Sequence, residues 1–167
     1  MAYTLETFAK DLKQVFSKGH GPADLEKGCK IVEKALKDRD FVAKHLGDDA
    51  ESERKIVYED PDLGFCILTH VYKGPKTGKP HDHGPSWAIY GQAYGETMMT
   101  DYKIVEAPKG DKPGKVAPVK TYKLTPGDAR AYQVGDVHCP AREKETRLIR
   151  IEGRNMDRVA RTPLELA

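Results

Sequence analysis

The sequence has no long hydrophobic run. None of its apolar stretches approaches the roughly 18 residues of a transmembrane helix, and the opening MAYTLETFAKDLKQ lacks the apolar segment of a signal peptide. We therefore expect a cytoplasmic protein with no membrane partner. An excess of charge of one sign is also missing, since 28 Lys and Arg stand against 26 Asp and Glu and the net charge is +2. This balance gives no sign of the basic surface that binds nucleic acid.

Cysteine is scarce as well. The three cysteines, Cys29, Cys66 and Cys139, form no CxxC pair, which argues against a disulfide framework and against a zinc ribbon. The sequence also contains no GxSxG, no phosphate-binding glycine loop and no paired carboxylate motif. At 167 residues the chain can bury a core without a structural metal, so any metal that it binds is expected to be functional.

Glycine and proline are unevenly distributed, with five in residues 1–55 and 21 in residues 56–167. Such a shift indicates a change of architecture along the chain. Residues 51–160 break into short β-type runs separated by Gly-Pro, Thr-Gly and Pro-Gly turns, which is typical of a sandwich or barrel. Residues 1–50 are expected to form a helical extension that packs on the barrel or on a second subunit of a homodimer.

Spacing and turn residues predict the individual elements. Apolar residues at helical spacing predict three helices, which begin after Thr4, at Pro22 and after Asp40. Residues 108–118, PKGDKPGKVAP, are too rich in Lys, Gly and Pro for a strand and are expected to form an exposed loop. The predicted strands are FCILTHVY, SWAIYGQAYG, TMMTDYKIVE, VKTYKL, RAYQV and TRLIRIE.

The sharpest chemical feature is His81-Asp82-His83. Alternate side chains of a strand point to one face, so the two imidazoles can converge on one metal ion, while Asp82 faces away as a surface or supporting group. An HxH pair also occurs by chance, and alone it is weak evidence for a metal site. His70 lacks a partner at metal-binding spacing and is expected to be an ordinary strand histidine.

The residues around this pair resemble the two motifs of the cupin superfamily. Gly95 follows the histidines at the distance of the first motif, and Gly127, Gly135 and His138 match the second motif. The resemblance covers roughly residues 56–152. It implies an all-β fold, the cupin double-stranded β-helix barrel, preceded here by two or three helices.

The resemblance also implies a metal centre made of His81, His83 and His138. The glutamate that serves many cupins as a fourth ligand falls on Ala88, so three neutral imidazoles would leave open positions on the ion. This ligand set, with PHDHG followed by Trp87, looks like the thiol dioxygenase branch, which includes cysteine dioxygenase and 3-mercaptopropionate dioxygenase. Three imidazoles with open positions suit an oxygen-activating Fe(II) centre, although Ni, Mn and Zn are also compatible.

One element of thiol dioxygenases is missing. They commonly carry Ser-x-His-x-Tyr after the third histidine, and this chain has neither a histidine nor a tyrosine after His138. Cysteine and 3-mercaptopropionate are therefore doubtful substrates. The expected function is a metal-dependent dioxygenase with dioxygen and a small molecule as its partners. A cupin that only binds a metal or small ligand, and a Zn or Mn isomerase or lyase, remain as alternatives.

Strand alternation suggests further site residues. Tyrosines near the histidines are candidate proton donors, and an inward arginine of TRLIRIE could clamp a carboxylate. A core position for each tyrosine, a packing role for the tryptophan and a solvated position for each arginine are the competing interpretations. The candidate catalytic residues are Tyr90, Tyr132 and Arg150. The candidate substrate-binding residues are Trp87, Ala88, Gln92 and Arg147.

Overall fold

The structure is a computed structural model that describes residues 3–157 and 159–167. Three helices come first: α1 (Leu5–Phe16), α2 (Pro22–Lys37) and α3 (Arg39–Leu46). The strands follow: β1 (Lys55–Glu59), β2 (Cys66–Tyr72), β3 (Lys76–Thr77), β4 (Ala88–Tyr94), β5 (Thr97–Glu106), β6 (Gly114–Leu124), β7 (Ala129–Tyr132), β8 (Val137–Arg142), β9 (Thr146–Glu152) and β10 (Leu164–Leu166).

The helix starts follow from local capping. The side chain of Thr4 accepts a hydrogen bond from a backbone N–H of the first turn of α1 (3.1 Å), and Pro22 occupies the first turn of α2. Asp38 caps α3 in the same way as Thr4 caps α1 (2.9 Å), so α3 includes Asp40, which was predicted to precede it. Among the described residues, no helix is both long enough and apolar enough to cross a membrane.

The strands form two five-stranded sheets, with the orders β1-β2-β9-β4-β7 and β10-β6-β5-β8-β3. The chain passes repeatedly from one sheet to the other, and the described pairs are antiparallel except for β10 with β6. This arrangement is a double-stranded β-helix barrel with three helices ahead of it. The predicted fold class is confirmed.

Some local predictions need correction. The six predicted strands are present, but β1, β3, β8 and β10 were not predicted. The predicted loop at residues 108–118 is wrong in its second half, because β6 begins at Gly114 and pairs with both β5 and β10. Pro118 lies opposite Tyr102 beside a register shift, an irregularity at which a residue without an N–H is tolerated.

Apolar residues form two clusters on the two faces of the first sheet. The larger cluster joins the three helices to the outer face, to which Ile89 and Ile149 contribute. The smaller cluster lies inside the barrel, where it leaves room for polar side chains. Its buried members are Ala88, Tyr90, Met99, Leu124 and Tyr132.

Helix α2 approaches β4 closely because two glycines lie at the contact. A Cβ atom on Gly28 would be 2.8 Å from Cδ1 of Ile89, and a Cβ atom on Gly91 would be 2.6 Å from Cγ1 of Val32. Both distances are shorter than carbon–carbon contacts allow. The helix therefore reaches its position only because these side chains are absent.

We expect Gly91→Ala to lower the free energy of unfolding by about 1–3 kcal/mol, because its methyl group overpacks this contact. Gly74→Ala is the matched control, since nothing lies within 4 Å of the added Cβ atom, and its effect should stay within about 0.5 kcal/mol. Urea unfolding followed by circular dichroism measures both values. Equal stabilities of the two variants would contradict the close approach of α2.

Candidate metal centre

Backbone pairing joins the two parts of the chain that carry the histidines. His81 and His138 form an isolated antiparallel bridge in which each N–H donates to the other carbonyl oxygen at 2.9 Å. Directly paired residues project their side chains to the same side. His83 follows in the turn after the bridge, so the strand predicted for His81-Asp82-His83 is limited to one bridged residue.

The ring nitrogens of His81, His83 and His138, the histidine cluster, lie within 4.8 Å of one another. Nε2 of His83 is 3.1 Å from Nε2 of His138. Two nitrogens bound at about 2.1 Å to one ion and at right angles would be about 3.0 Å apart, so the observed separation suits two ligands of the same metal. Nδ1 of His81 donates to the carbonyl oxygen of Lys79 (2.8 Å), which leaves its Nε2 available as a ligand.

Burial keeps the cluster neutral. It lowers the pKa of His81 to about 4 and holds the pKa values of His83 and His138 far below the usual value. The positive charge of Arg150 contributes further at His83, and His81 does so at His138. Neutral imidazole is the form that binds a metal ion, so the cluster can bind one at neutral pH.

Asp82, between the two clustered histidines, is buried with only 4% of its surface exposed. Its carboxylate accepts hydrogen bonds from the backbone N–H groups of Gly84 (2.9 Å) and Thr162 (3.2 Å) and from the Thr162 hydroxyl. The prediction of a surface group is therefore wrong, and the alternative of a supporting group agrees with these contacts. Asp82 ties the histidine turn to the C-terminal segment.

Tyr90 lies beside the cluster, with its hydroxyl oxygen 3.1 Å from Nε2 of His83. Burial raises the pKa of Tyr90, so the hydroxyl keeps its proton and can donate a hydrogen bond. The guanidinium of Arg150 lies over the Tyr90 ring, 4.2 Å from its centroid, because the two residues are paired on β4 and β9. Of the two arginines in TRLIRIE, Arg150 is thus the one that faces the barrel interior.

Tyr132 reaches the cluster only through its ring, whose centroid is 4.0 Å from that of His138. Its hydroxyl oxygen is 2.7 Å from that of Tyr122, which in turn donates to Asp101 (2.8 Å). The proton of Tyr132 is therefore directed to Tyr122. The structure gives Tyr132 a packing position against a histidine rather than the position of a proton donor to substrate.

Arg147 lies on the opposite face of β9 from Arg150. Its guanidinium donates to the carbonyl oxygens of Leu46 (3.0 Å) and Gly47, where α3 ends. These contacts satisfy carbonyl groups at a helix C-terminus and fasten α3 to the sheet. The predicted place of Arg147 in the substrate pocket is therefore wrong.

Two other predicted substrate-binding residues have their side-chain contacts outside the histidine cluster. Trp87 packs against Phe16 of α1, with ring centroids 4.6 Å apart, so it belongs to the contact between the helices and the barrel. The amide nitrogen of Gln92 donates to the carbonyl oxygens of Tyr94 (3.1 Å) and Gly95 (3.0 Å). Gln92 is fully buried and braces the turn after β4 instead of lining a pocket.

Ala88 is fully buried inside the barrel, paired with Tyr132 on β7 and with Glu152 on β9. Glu152 is buried too, and Arg54 holds its carboxylate through two hydrogen bonds of 3.0 and 3.2 Å. A carboxylate thus lies on the strand beside the Ala88 position. An arginine neutralises it, and it does not belong to the histidine cluster.

The sequence interpretation missed an open cavity of about 420 Å³ beside His81, with His70, Arg142 and Arg150 in its wall. Arg142 follows His138 by four residues on β8, so strand alternation would have placed it on the same face if β8 had been predicted. His70 lies outside the histidine cluster. Its Nδ1 donates to the carbonyl oxygen of Glu53 (2.7 Å).

Comparisons with known proteins give only distant likenesses. No protein-family model matches the chain, and neither does any curated protein. Similar solved structures include a cupin superfamily protein of Desulfitobacterium hafniense, with 11% identity, a TM-score of 0.45 and coverage of 70% of this chain and 84% of that one.

Two further structures are similar to the same degree. KdgF from a Halomonas species has 19% identity and a TM-score of 0.45, with 59% of this chain and 74% of that chain covered. Hydroquinone 1,2-dioxygenase PnpCD, in complex with Cd²⁺ and 4-hydroxybenzonitrile, has 12% identity and a TM-score of 0.47, with 72% and 74% covered. With TM-scores below 0.5 these likenesses carry no argument about this chain, and its fold is established by its own strand order.

Proposed function

We propose that the protein is a mononuclear non-haem Fe(II) dioxygenase that acts on a small organic molecule, with His81, His83 and His138 as its metal ligands. The observation that carries this proposal is the 3.1 Å separation between the Nε2 atoms of two buried imidazoles in a cluster of three neutral ones. Three neutral ligands leave coordination positions for two further molecules. An oxygenase needs such positions because substrate and dioxygen must meet.

When bound, Fe(II) supplies a centre at which dioxygen and an anionic donor of the substrate come together. A thiolate or an enolate is the donor that suits the site, since three imidazoles bring no negative charge of their own. Water is largely excluded from His83 and His138, which are 2% and 0% exposed. Exclusion of water strengthens every charge interaction in such a site.

Tyr90 has the position of a catalytic residue in this proposal. It holds a proton on its hydroxyl oxygen, 3.1 Å from Nε2 of His83, and can donate a hydrogen bond to an atom of the substrate. Arg150 restrains the Tyr90 ring from above and adds positive charge next to the cluster. Ala88 presents only a methyl group to the interior and supplies no further ligand.

The first test is metal content. We expect the purified protein to contain close to one divalent ion per chain, and His81→Ala, His83→Ala and His138→Ala each to abolish loading while the fold persists. Elemental analysis with circular dichroism measures both properties. His70→Ala is the matched control and should retain its metal, because His70 lies outside the cluster. Full occupancy in the His81→Ala, His138→Ala double variant would refute the three-histidine site.

The second test is oxygen consumption. We expect the iron-loaded protein to consume dioxygen with a small thiol or an enolisable carbonyl compound, and an oxygen electrode with cysteine, 3-mercaptopropionate, cysteamine and simple β-diketones measures it. Cysteine should be a poor substrate because the Ser-x-His-x-Tyr element is missing. No uptake with any of these compounds, despite iron bound at the histidines, would favour a Lewis-acid enzyme or a binding protein instead.

A third test introduces the missing carboxylate. Ala88→Glu should retain the metal but lower the rate of oxygen uptake at least about tenfold, because the carboxylate would neutralise part of the ion's charge and occupy a substrate position. Ala88→Gln, of similar size without the charge, is the control and should change the absorption spectrum of the metal less. A rate and a spectrum unchanged by Ala88→Glu would show that this side chain does not face the metal.

A further inference from the structure

The cavity beside His81 carries an excess of positive charge. Some of its cations are neutralised, since Arg54 forms ion pairs with Glu152 and Asp157 and Lys76 forms one with Glu53. The rest face the cavity with little compensation from the residues that the structure describes. The cationic residues in the wall are Arg54, Lys76, Lys79, Arg142, Arg150 and Arg161.

Arg142 and Arg150 are the buried members of this group, with 3% and 7% of their surface exposed. Nε of Arg142 donates to the hydroxyl of Thr97 (3.1 Å), but its Nη2 has no hydrogen-bond partner in residues 3–157 and 159–167. Nε of Arg150 has no partner in these ranges either, and the nearest carboxylate, Glu152 at 3.7 Å, is already held by Arg54. Buried guanidinium N–H groups without an acceptor are costly, so both guanidinium groups keep hydrogen-bonding capacity that no described residue uses.

Aromatic rings fix the orientation of both groups. The Arg142 guanidinium lies 4.7 Å from the centroid of the Tyr72 ring, and that of Arg150 lies 4.2 Å from the centroid of the Tyr90 ring. Burial lowers the pKa of Arg142, and the positive charge of Arg150 lowers it further. Two oriented guanidinium groups with unused donors suit an oxyanion that has several charged oxygens.

We propose that this cavity binds a small oxyanion with two negative charges, such as a phosphomonoester or a dicarboxylate, and that Arg142 and Arg150 are its main contacts. Two charges are favoured over one because two buried cations face the cavity without full compensation. The inference rests on the proposed function in one respect, because it takes this anion to be part of the substrate of that enzyme. His81 lines the same cavity, so a molecule held there lies beside one member of the histidine cluster.

Inorganic phosphate is the first probe, at about pH 8, where it is mainly a dianion. Malonate is the dicarboxylate probe and acetate the monoanion. Isothermal titration calorimetry should show phosphate or malonate binding at least about tenfold more tightly than acetate. Tight phosphate binding alone indicates a phosphoryl group, and tight malonate binding alone indicates a dicarboxylate.

Variants identify the contacts. Arg142→Met and Arg150→Met should each weaken binding of the dianion by about tenfold or more, and Arg142→Lys, which keeps the charge but loses the planar fork, should have an intermediate effect. Arg147→Met is the matched control, because Arg147 is equally buried on the other face of β9. Its affinity for the dianion should equal that of the unchanged protein, and thermal melts confirm that each variant is folded.

Two outcomes would overturn the inference: dianions that bind no more tightly than acetate, or unchanged affinity in folded Arg142→Met and Arg150→Met.

His83→Ala separates the inference from the proposed function, because His83 is a proposed metal ligand that does not line the cavity. This variant should lose metal and oxygen uptake and keep its affinity for phosphate. Loss of phosphate affinity in it would mean that the anion binds to the metal, which refutes the arginine site. Phosphate binding without any oxygen uptake by the iron-loaded protein would instead refute the proposed function alone.

Discussion

Two backbone hydrogen bonds between His81 and His138 join the histidine turn to β8, and the candidate site depends on their register. Because the residues are directly paired, a slip of one position would turn one imidazole to the opposite face. The contact between Nε2 of His83 and Nε2 of His138 follows from this register, because the bridge brings the two parts of the chain together. The hydrogen bonds that Thr162 donates to the Asp82 carboxylate hold the other side of the turn.

Burial acts differently on the histidines and the arginines of the barrel interior. An imidazole gives up its proton when desolvated, so the cluster becomes a set of neutral ligands. A guanidinium keeps its charge in almost any surroundings, so Arg142 and Arg150 remain cations although they are nearly as buried. The interior thus combines neutral nitrogens for a cation with permanent positive charge for an anion. A bound anion would offset the positive charge that opposes a metal ion, and a bound metal ion would add to the positive charge that favours the anion.

The sequence was informative wherever structure follows from local rules. The Thr4 cap of α1, Pro22 at the start of α2 and the alternation of β4 and β9 act within a few residues, and the cupin-like spacing located the histidines. The start of α3 was placed two residues too late, because its cap is Asp38 and not Asp40. β8 escaped prediction because the run around Cys139 and Pro140 has no strand pattern of its own and becomes a strand by pairing with β3 and β5. Alternation along β9 predicts that Arg147 and Arg150 lie on opposite faces, but it does not say which face is the outer one. The hydrogen bond from Arg147 to the end of α3 shows that Arg147 faces outward.

The two apolar clusters lie on different faces of the first sheet, and the larger one lies outside the barrel, beneath the helices. Most of the apolar burial that stabilises the chain is therefore separate from the interior that holds the histidines and arginines. A mutation that changes an interior side chain disturbs only the smaller cluster. Such an arrangement favours evolutionary divergence of the chemistry, because new ligand preferences can arise inside the barrel while the layer that keeps the protein folded is left intact.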